Sequence, residues 1–408
     1  MITRRMFVSL AASSVAARAF ASVDLGSGRL ALYANIGSTV LHYEVDVAKA
    51  ELTRKGSVTV PAGVQYGWPH VSGRCLYVAC SDWAKIHYLV ALRIDPQTGE
   101  LSKHGEQEPL PFRPIHMTTD VPSENILVAF NVPSGVRVFR VNHDLTIGRE
   151  VPQPGVKDGG IYAHQIKVTL DNRHAILVTR GVSATAKEPE QPGALKIFDY
   201  DHGVLSNEAS IAPNGGFGFG PRHLDFHPTK PWVYVSLERE SKMYMYRMEN
   251  GRISGDATYI RDTPSEPSKG GPRQLAGTIH VHPNGRFVYV ANRNDATVDF
   301  NGKKVSAGGE NSIVVYSIDQ TTGEPTAIQH ADTRKIYPRT FNIDPSGRMM
   351  AVQHILPVNF REGNDVRVAA AGMTIFRIGD DGKLTCVRVY DEQENGDDQM
   401  FWGAMVRI

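Results

Sequence analysis

The chain predicts an all-β fold, a seven-bladed β-propeller built from four-stranded antiparallel blades. Three observations carry that prediction. An internal repeat of about 50 residues runs through everything after Val23. Each copy holds two strand pairs of distinct signature. No amphipathic helix pattern intervenes, so short sheets that could not bury their faces alone must close radially.

The first strand pair ends in a Tyr-Val-Ala-like triplet, and seven such triplets centre on Tyr33, Tyr77, Leu127, Ile176, Tyr234, Tyr289 and Ala351. The second follows an apolar-x-apolar-aromatic-x-apolar pattern, as in Val136 to Val141, Leu195 to Tyr200 and Ile313 to Ile318, and it too occurs seven times. Tight turns such as Asp95 to Glu100 and Asp319 to Glu324 follow several of these runs with the expected Asp, Pro and Gly. The first repeat begins near Arg29 without an innermost strand, and Met400 to Ile408 is a spare one. The tail is therefore expected to complete the first blade and lock the ring. Residues 23–408 then form one domain.

Four stretches interrupt the repeat and are expected to be irregular rim loops: Ala184 to Pro192, Thr263 to Arg273, Asn294 to Glu310 and Leu356 to Val368. Gly215 to Gly220 is followed by no helix pattern, so it reads as an approach to the channel rather than a phosphate loop. His227 and His282, each before a proline, read as turn residues.

Composition narrows the function classes. With 44 Lys+Arg against 43 Asp+Glu and no long basic run, neither a nucleic-acid partner nor a membrane surface is supported. A small polar or anionic ligand is expected, bound by a monomer without cofactor or metal. Cys75, Cys80 and Cys386 lack metal-ligand spacing and read as buried apolar residues. Residues 1–22 differ from the rest. Arg4-Arg5-Met6-Phe7 precedes a mild apolar run and Ala19-Phe20-Ala21, the pattern of a twin-arginine signal with a cleavage site. The run is too short to span a bilayer. The expected location is the periplasm.

The site prediction rests on register. The segment from Gly220 to Glu238 reads as a hairpin, whose antiparallel strands bring Arg222 and Glu238 to one end. In a propeller the first strand of each blade lines the central channel. Twelve residues before the anchors stand Gln65, Ile115, His164, Arg222, Gly277 and Arg339; four after them stand Ser81, Asn131, Arg180, Glu238, Arg293 and Ile355. One mouth should thus gather His164, Arg222, Glu238 and Arg293, with Arg180 and Arg339 beside them and His116 and His223 one step along their strands. Arginines crowded around one carboxylate cost repulsion and desolvation unless they hold an anionic or strongly polar ligand. Glu238 or His164 could serve as general base, and the arginines as oxyanion stabilisers.

The chain resembles the lactonase family of seven-bladed propellers, the 6-phosphogluconolactonase-like enzymes related to the fungal 3-carboxy-cis,cis-muconate cyclases. The resemblance rests on Gly220-Pro221-Arg222-His223 with Phe226-His227-Pro228 and Glu238, on Ile279 to Arg286 with Tyr289 to Arg293, and on Pro338 to Gly347. It implies a channel-mouth site in which His164, Glu238, Arg222 and Arg293 carry substrate binding and proton transfer; the register argument adds Arg180, Arg339, His116 and His223 as further substrate contacts, and the lack of metal-binding motifs makes the chemistry metal-free. Lactone hydrolysis is the activity implied. A cyclase or isomerase of unsaturated diacids and a non-catalytic propeller that binds a partner across its face are the alternatives. Ala351-Val352-Gln353-His354 departs from the usual Tyr-Val-Ala-Asn-like run. An exported relative would meet an unphosphorylated lactone rather than the phosphorylated one made in the cytoplasm.

Overall fold

The computed structural model describes residues 28–249, 251–266, 273–355, 357–392 and 399–408. The signal segment and parts of two predicted rim loops lie outside them. Seven four-stranded antiparallel sheets, two of them with a short additional edge strand, follow one another along the chain. Gly403–Arg407 pairs antiparallel with Leu30–Ile36, with Tyr33 opposite Ala404, so the tail supplies the innermost strand of blade 1 as expected. Each innermost strand packs against that of the next blade, from Gly403–Arg407 through Val64–Pro69, Pro114–Thr119, Ala163–Val168, Pro221–Phe226, Leu275–Val281 and Pro338–Ile343 back to the tail. The ring is closed.

The core is divided into wedges rather than gathered in one mass. Seven apolar clusters each join one blade to its neighbour. Strand Trp232–Leu237 shows how the sequence achieves this. Its alternate residues point to opposite faces, so Val233, Val235 and Leu237 pack toward blade 4 while Trp232 and Tyr234 pack toward blade 6. A strand buried on both faces needs a continuous apolar run, which is what the triplets are.

The tyrosines of those triplets have a second task. Tyr33, Tyr234 and Tyr289 donate their hydroxyls to the carbonyls of Gly99, Gly323 and Gly382, at 2.7, 2.9 and 2.9 Å, each in an outer turn of the next blade. Asp319 shapes one such turn by accepting from the backbone N–H of Thr321 and Thr322, and Gly323 adopts φ +81°, which a side chain would disfavour. His227 and His282 do lie at turns, but their Nε2 atoms reach the Gly285 and Gly347 carbonyls of the following blades at 2.8 Å. They bridge blades as well as turn the chain.

Two stretches expected to be irregular contain ordered hairpins. Thr297–Phe300 pairs with Lys303–Ser306, and Val358–Glu362 with Asp365–Ala369. The first turns on Asn301-Gly302, both at positive φ, the two-residue geometry that matches strand twist. Cys75 and Cys80 are buried, whereas Cys386 is half-buried on an outer strand.

Candidate functional site

Each inner strand of blades 2 to 7 carries a register shift at the position predicted to face the channel. The pairing skips Gln65, Ile115, His164, Arg222, Gly277 with Thr278, and Arg339. A β-bulge leaves the extra residue outside the ladder and re-aims its side chain, so these residues turn out of the sheet at one mouth. Blades 2 and 3 present Gln65 and Ile115 there; blades 4, 5 and 7 present His164, Arg222 and Arg339.

Glu238 is the hub. Arg180 donates to its Oε2 at 2.6 Å, Arg222 Nε lies 3.1 Å from Oε1, and Arg293 donates to the same oxygen. Arg222 and Arg293 are each 1 % exposed and Glu238 4 %. Room for Arg293 comes from Gly277, whose missing Cβ would sit 2.3 Å from its Nη1. Blade 6 thus gives up its own channel side chain to admit one from the neighbouring strand. Burial pushes the Glu238 carboxyl up, but Arg293, Arg222 and Arg180 outweigh it and hold the group down at about 2. His164 is pushed well below its usual value, first by burial and then by Arg222, Arg180 and Arg339, so it is neutral at pH 7. Burial first, with Arg293 and Arg113 adding to it, lowers Arg339 to about 10.

A cavity of about 380 Å³ opens above this hub, walled by His164, Arg180, Glu238, Arg293 and Arg339 among others. Four of its arginines face aromatic rings: Arg113 on Trp83 at 3.3 Å, Arg180 on Tyr162 at 4.4 Å, Arg293 on Tyr337 at 5.3 Å and Arg339 on Phe401 at 4.2 Å. Flat rings hold guanidiniums in place without neutralising them. Arg180, Arg222 and Arg293 share Glu238, whereas Arg113 and Arg339 have no carboxylate within ion-pair distance among the described residues, and Arg113 donates instead to Gln65 Oε1 at 2.8 and 3.0 Å.

The seven-bladed β-propeller lactonase family model matches residues 28–355, which is most of the chain and all seven of its repeat anchors. The chain belongs to the lactonase family. It is 28% identical over 270 residues to a 6-phosphogluconolactonase of Bacillus subtilis, covering 63% of this chain and 68% of that protein. A 6-phosphogluconolactonase of Cronobacter sakazakii is 26% identical over 345 residues, covering 83% of this chain and 92% of that one. Among solved structures, a Lactobacillus plantarum protein superposes with a TM-score of 0.68 at 19% identity, covering 93% of this chain and 100% of its own. The periplasmic gluconolactonase of Pseudomonas aeruginosa does so with 0.64 at 18%, covering 90% and 99%. At those identities the two structures speak for the fold alone.

In this lactonase the predicted site residues are brought together, but at three depths. His164, Arg180, Glu238, Arg293 and Arg339 stand on the cavity wall. Arg222 lies behind it, beside Glu238 and, at 3.5 Å, His223. His116 and His223 sit beneath, in a chain of tilted and edge-on ring contacts: His164 to His223 at 5.1 Å, His223 to His116 at 5.7 Å, His116 to Tyr66 at 3.9 Å. Both are held neutral, His223 by burial and Arg222, His116 by burial and Lys167. They support the wall rather than form it.

Sequence reasoning missed Arg113, Tyr162 and Tyr337, which stand two residues before Ile115, His164 and Arg339. Reading the same register two positions upstream would have found all three. It missed Trp83 because that residue comes from a loop, and Phe401 because blade 1 takes its innermost strand from the far end of the chain: with Tyr33 opposite Ala404, Phe401 stands where Gln65, His164, Arg222 and Arg339 stand in their blades, but no fixed spacing before Tyr33 reaches it.

Proposed function

We propose that the protein is a lactone hydrolase acting on a sugar-acid lactone, with the channel mouth as its active site. What carries this reading is the cation surplus beside a cavity of small-molecule size: Glu238 answers Arg180, Arg222 and Arg293, while Arg113 and Arg339 have no carboxylate within ion-pair distance among the described residues. Hydrolysis adds water to the lactone carbonyl carbon, converts the carbonyl oxygen to an oxyanion, and breaks the ring C–O bond. The ring oxygen leaves with a proton and the product is a hydroxy acid. Both the oxyanion and the product carboxylate are charges that Arg180, Arg293 and Arg339 can receive.

His164 is assigned the proton from the attacking water. Its imidazole is neutral, and its Nδ1 is buried with no hydrogen-bond partner among the described residues. Negative charge developing on the substrate offsets the arginines that depress it, so its basicity rises as the reaction proceeds. Glu238, held at about 2, is a poor proton acceptor at neutral pH and is assigned instead to hold Arg180, Arg222 and Arg293 in place. Export through Arg4 and Arg5 would put the enzyme in the periplasm, where an unphosphorylated aldonolactone is the substrate.

Proton release from glucono-δ-lactone and its 6-phosphate, measured against spontaneous hydrolysis, tests the activity. Acceleration of the unphosphorylated lactone, weakened by Arg293→Ala, is the expected result. No acceleration on any aldonolactone would overturn it. Fractionation of cells making an Arg4→Lys, Arg5→Lys variant should find the protein cytoplasmic, and unchanged secretion refutes the export assignment.

A further inference from the structure

The two inserted hairpins are not independent loops. Asn359 Nδ2 donates to the Lys304 carbonyl at 3.2 Å, Asn301 Nδ2 to the Asn364 carbonyl at 3.4 Å, and the Arg361 guanidinium lies 4.4 Å from the Phe300 ring centroid. Hairpins from blades 6 and 7 therefore interlock into a single wall. Between this wall and the channel mouth lies a second cavity of about 400 Å³, and Asp295 and Tyr337 border both it and the first.

The two cavities differ in chemistry. In the second, the charged side chains already have partners: Asp295 receives both bonds of Arg273 at 2.7 and 3.0 Å, and Lys304 donates to Asp299 at 2.8 Å. What remains on its wall is neutral, with Asn294, Thr297, Ser306 and Asn359 beside Pro357 and Val358. Asn294 is 3 % exposed, and its Nδ2 has no hydrogen-bond partner among the described residues. A buried amide N–H₂ without an acceptor costs free energy, which a rotation of this side chain from Gly309 toward a ligand oxygen in the annex would recover. Tyr337, on the partition, is held at φ +63° with its N–H bonded to Asn311 Oδ1 at 2.9 Å, a backbone conformation that persists only when its surroundings enforce it.

We propose that this annex is a subsite for a neutral sugar residue attached to the lactone, so that the preferred substrate is a disaccharide-derived lactone with its reactive ring at the arginines and its second ring against the hairpin wall. Neutral hydroxyl-bearing rings match a wall of amides, hydroxyls and small apolar surface, and a charged extension does not. The inference rests on the lactonase reading above.

The test compares cellobiono-δ-lactone with glucono-δ-lactone for the wild type and for Ser306→Trp and Thr297→Trp, each filling the annex from a different strand, with thermal melting to confirm folding. The wild type should show kcat/KM at least about tenfold higher on the longer lactone, since a good pocket for one sugar-sized group supports discrimination of that order. In the filled variants the ratio should fall toward one. A wild-type ratio of one or below, or filled variants that keep the wild-type ratio, overturns the proposal. Should neither lactone be hydrolysed, the lactonase reading fails and calorimetric titration decides the annex. Cellobionate binding more tightly than gluconate, with the difference lost in Ser306→Trp, supports it, and equal binding rejects it.

Discussion

Two carboxylates with charged partners stand in the channel of this propeller, Glu238 buried and Asp225 with 14 % of its side chain exposed, and the charges around them differ. Asp225 accepts from Lys167, lies 3.4 Å from His280 Nδ1, and takes the backbone N–H of Val281 at 2.9 Å and of Phe226 at 3.1 Å. One lysine and one histidine answer one carboxylate. Glu238 is answered by Arg180, Arg222 and Arg293, with Arg113 and Arg339 close by. Burial raises both acids and cations outweigh it in both, so both are ionised at neutral pH. A balanced cluster completes itself; a cluster with surplus cations is completed by something from outside. On the function proposed above, it is the surplus, rather than the burial or the shifted acidity, that would receive a ligand.

The strongest way to break the comparison is to neutralise each acid in turn. Glu238→Gln removes the charge that fixes three arginines, and should lower kcat by roughly 10²- to 10³-fold, the scale lost with a preorganised electrostatic contact. Asp225→Asn strands Lys167, and should cost about 3 kcal/mol of stability, as breaking a buried pair does, while its kcat stays close to wild type. Urea unfolding and steady-state kinetics on the two variants check both outcomes. Equal losses of kcat would erase the distinction between the clusters.

Acid titration sharpens the same contrast. Glu238 has a folded value of about 2 against an ordinary value of 4.5, so the stability it contributes is complete above about 4.5 and lost as pH falls toward 2. The histidines His116, His164 and His223 are also lowered, so the folded state resists their protonation and stability begins to fall below their ordinary value of 6.5. Two descents are expected in urea midpoints measured from pH 8 to 2.5. His223→Asn should flatten the first and Glu238→Gln the second. For catalysis the depression of His164 predicts kcat/KM constant from pH 7.5 down to 6, where an ordinary histidine base would already have lost activity.

Much of this was legible because a repeat converts sequence spacing into spatial position. Once the triplets at Tyr234 and Tyr289 are aligned, Arg222, Glu238 and Arg293 must share an end of the ring, and so they do. The bulges were not legible. An extra residue at Arg222 or His164 leaves the apolar pattern on either side intact, and only the pairing of Pro221 with Leu237 and His223 with Ser236 reveals it. The depth of His116 and His223 follows from those bulges and was hidden with them. The hairpin on Asn301-Gly302 was legible and passed over: apolar residues alternate on both sides of a two-residue turn signal, but a low-hydrophobicity stretch between repeats reads as loop. Its partner around Gly363 carries a weaker signal, and their interlocking depends on blades 6 and 7 being neighbours, which only the closed ring provides.

The smallest expected effect concerns how the surplus cations are kept apart. Tyr162 occupies positive φ at 59° and puts its ring 4.4 Å from the Arg180 guanidinium, whose other contact is Glu238. Of the three arginines on Glu238, Arg180 is the most exposed, so it has the most freedom to swing into solvent. An exposed cation–π contact contributes about 0.5–1 kcal/mol. Tyr162→Leu should therefore raise KM by about two- to fivefold while leaving kcat nearly intact, since the ring orders Arg180 before the substrate arrives. A parallel fall in kcat would place Tyr162 against the reacting atoms, and no change in either would show that Glu238 alone orients Arg180.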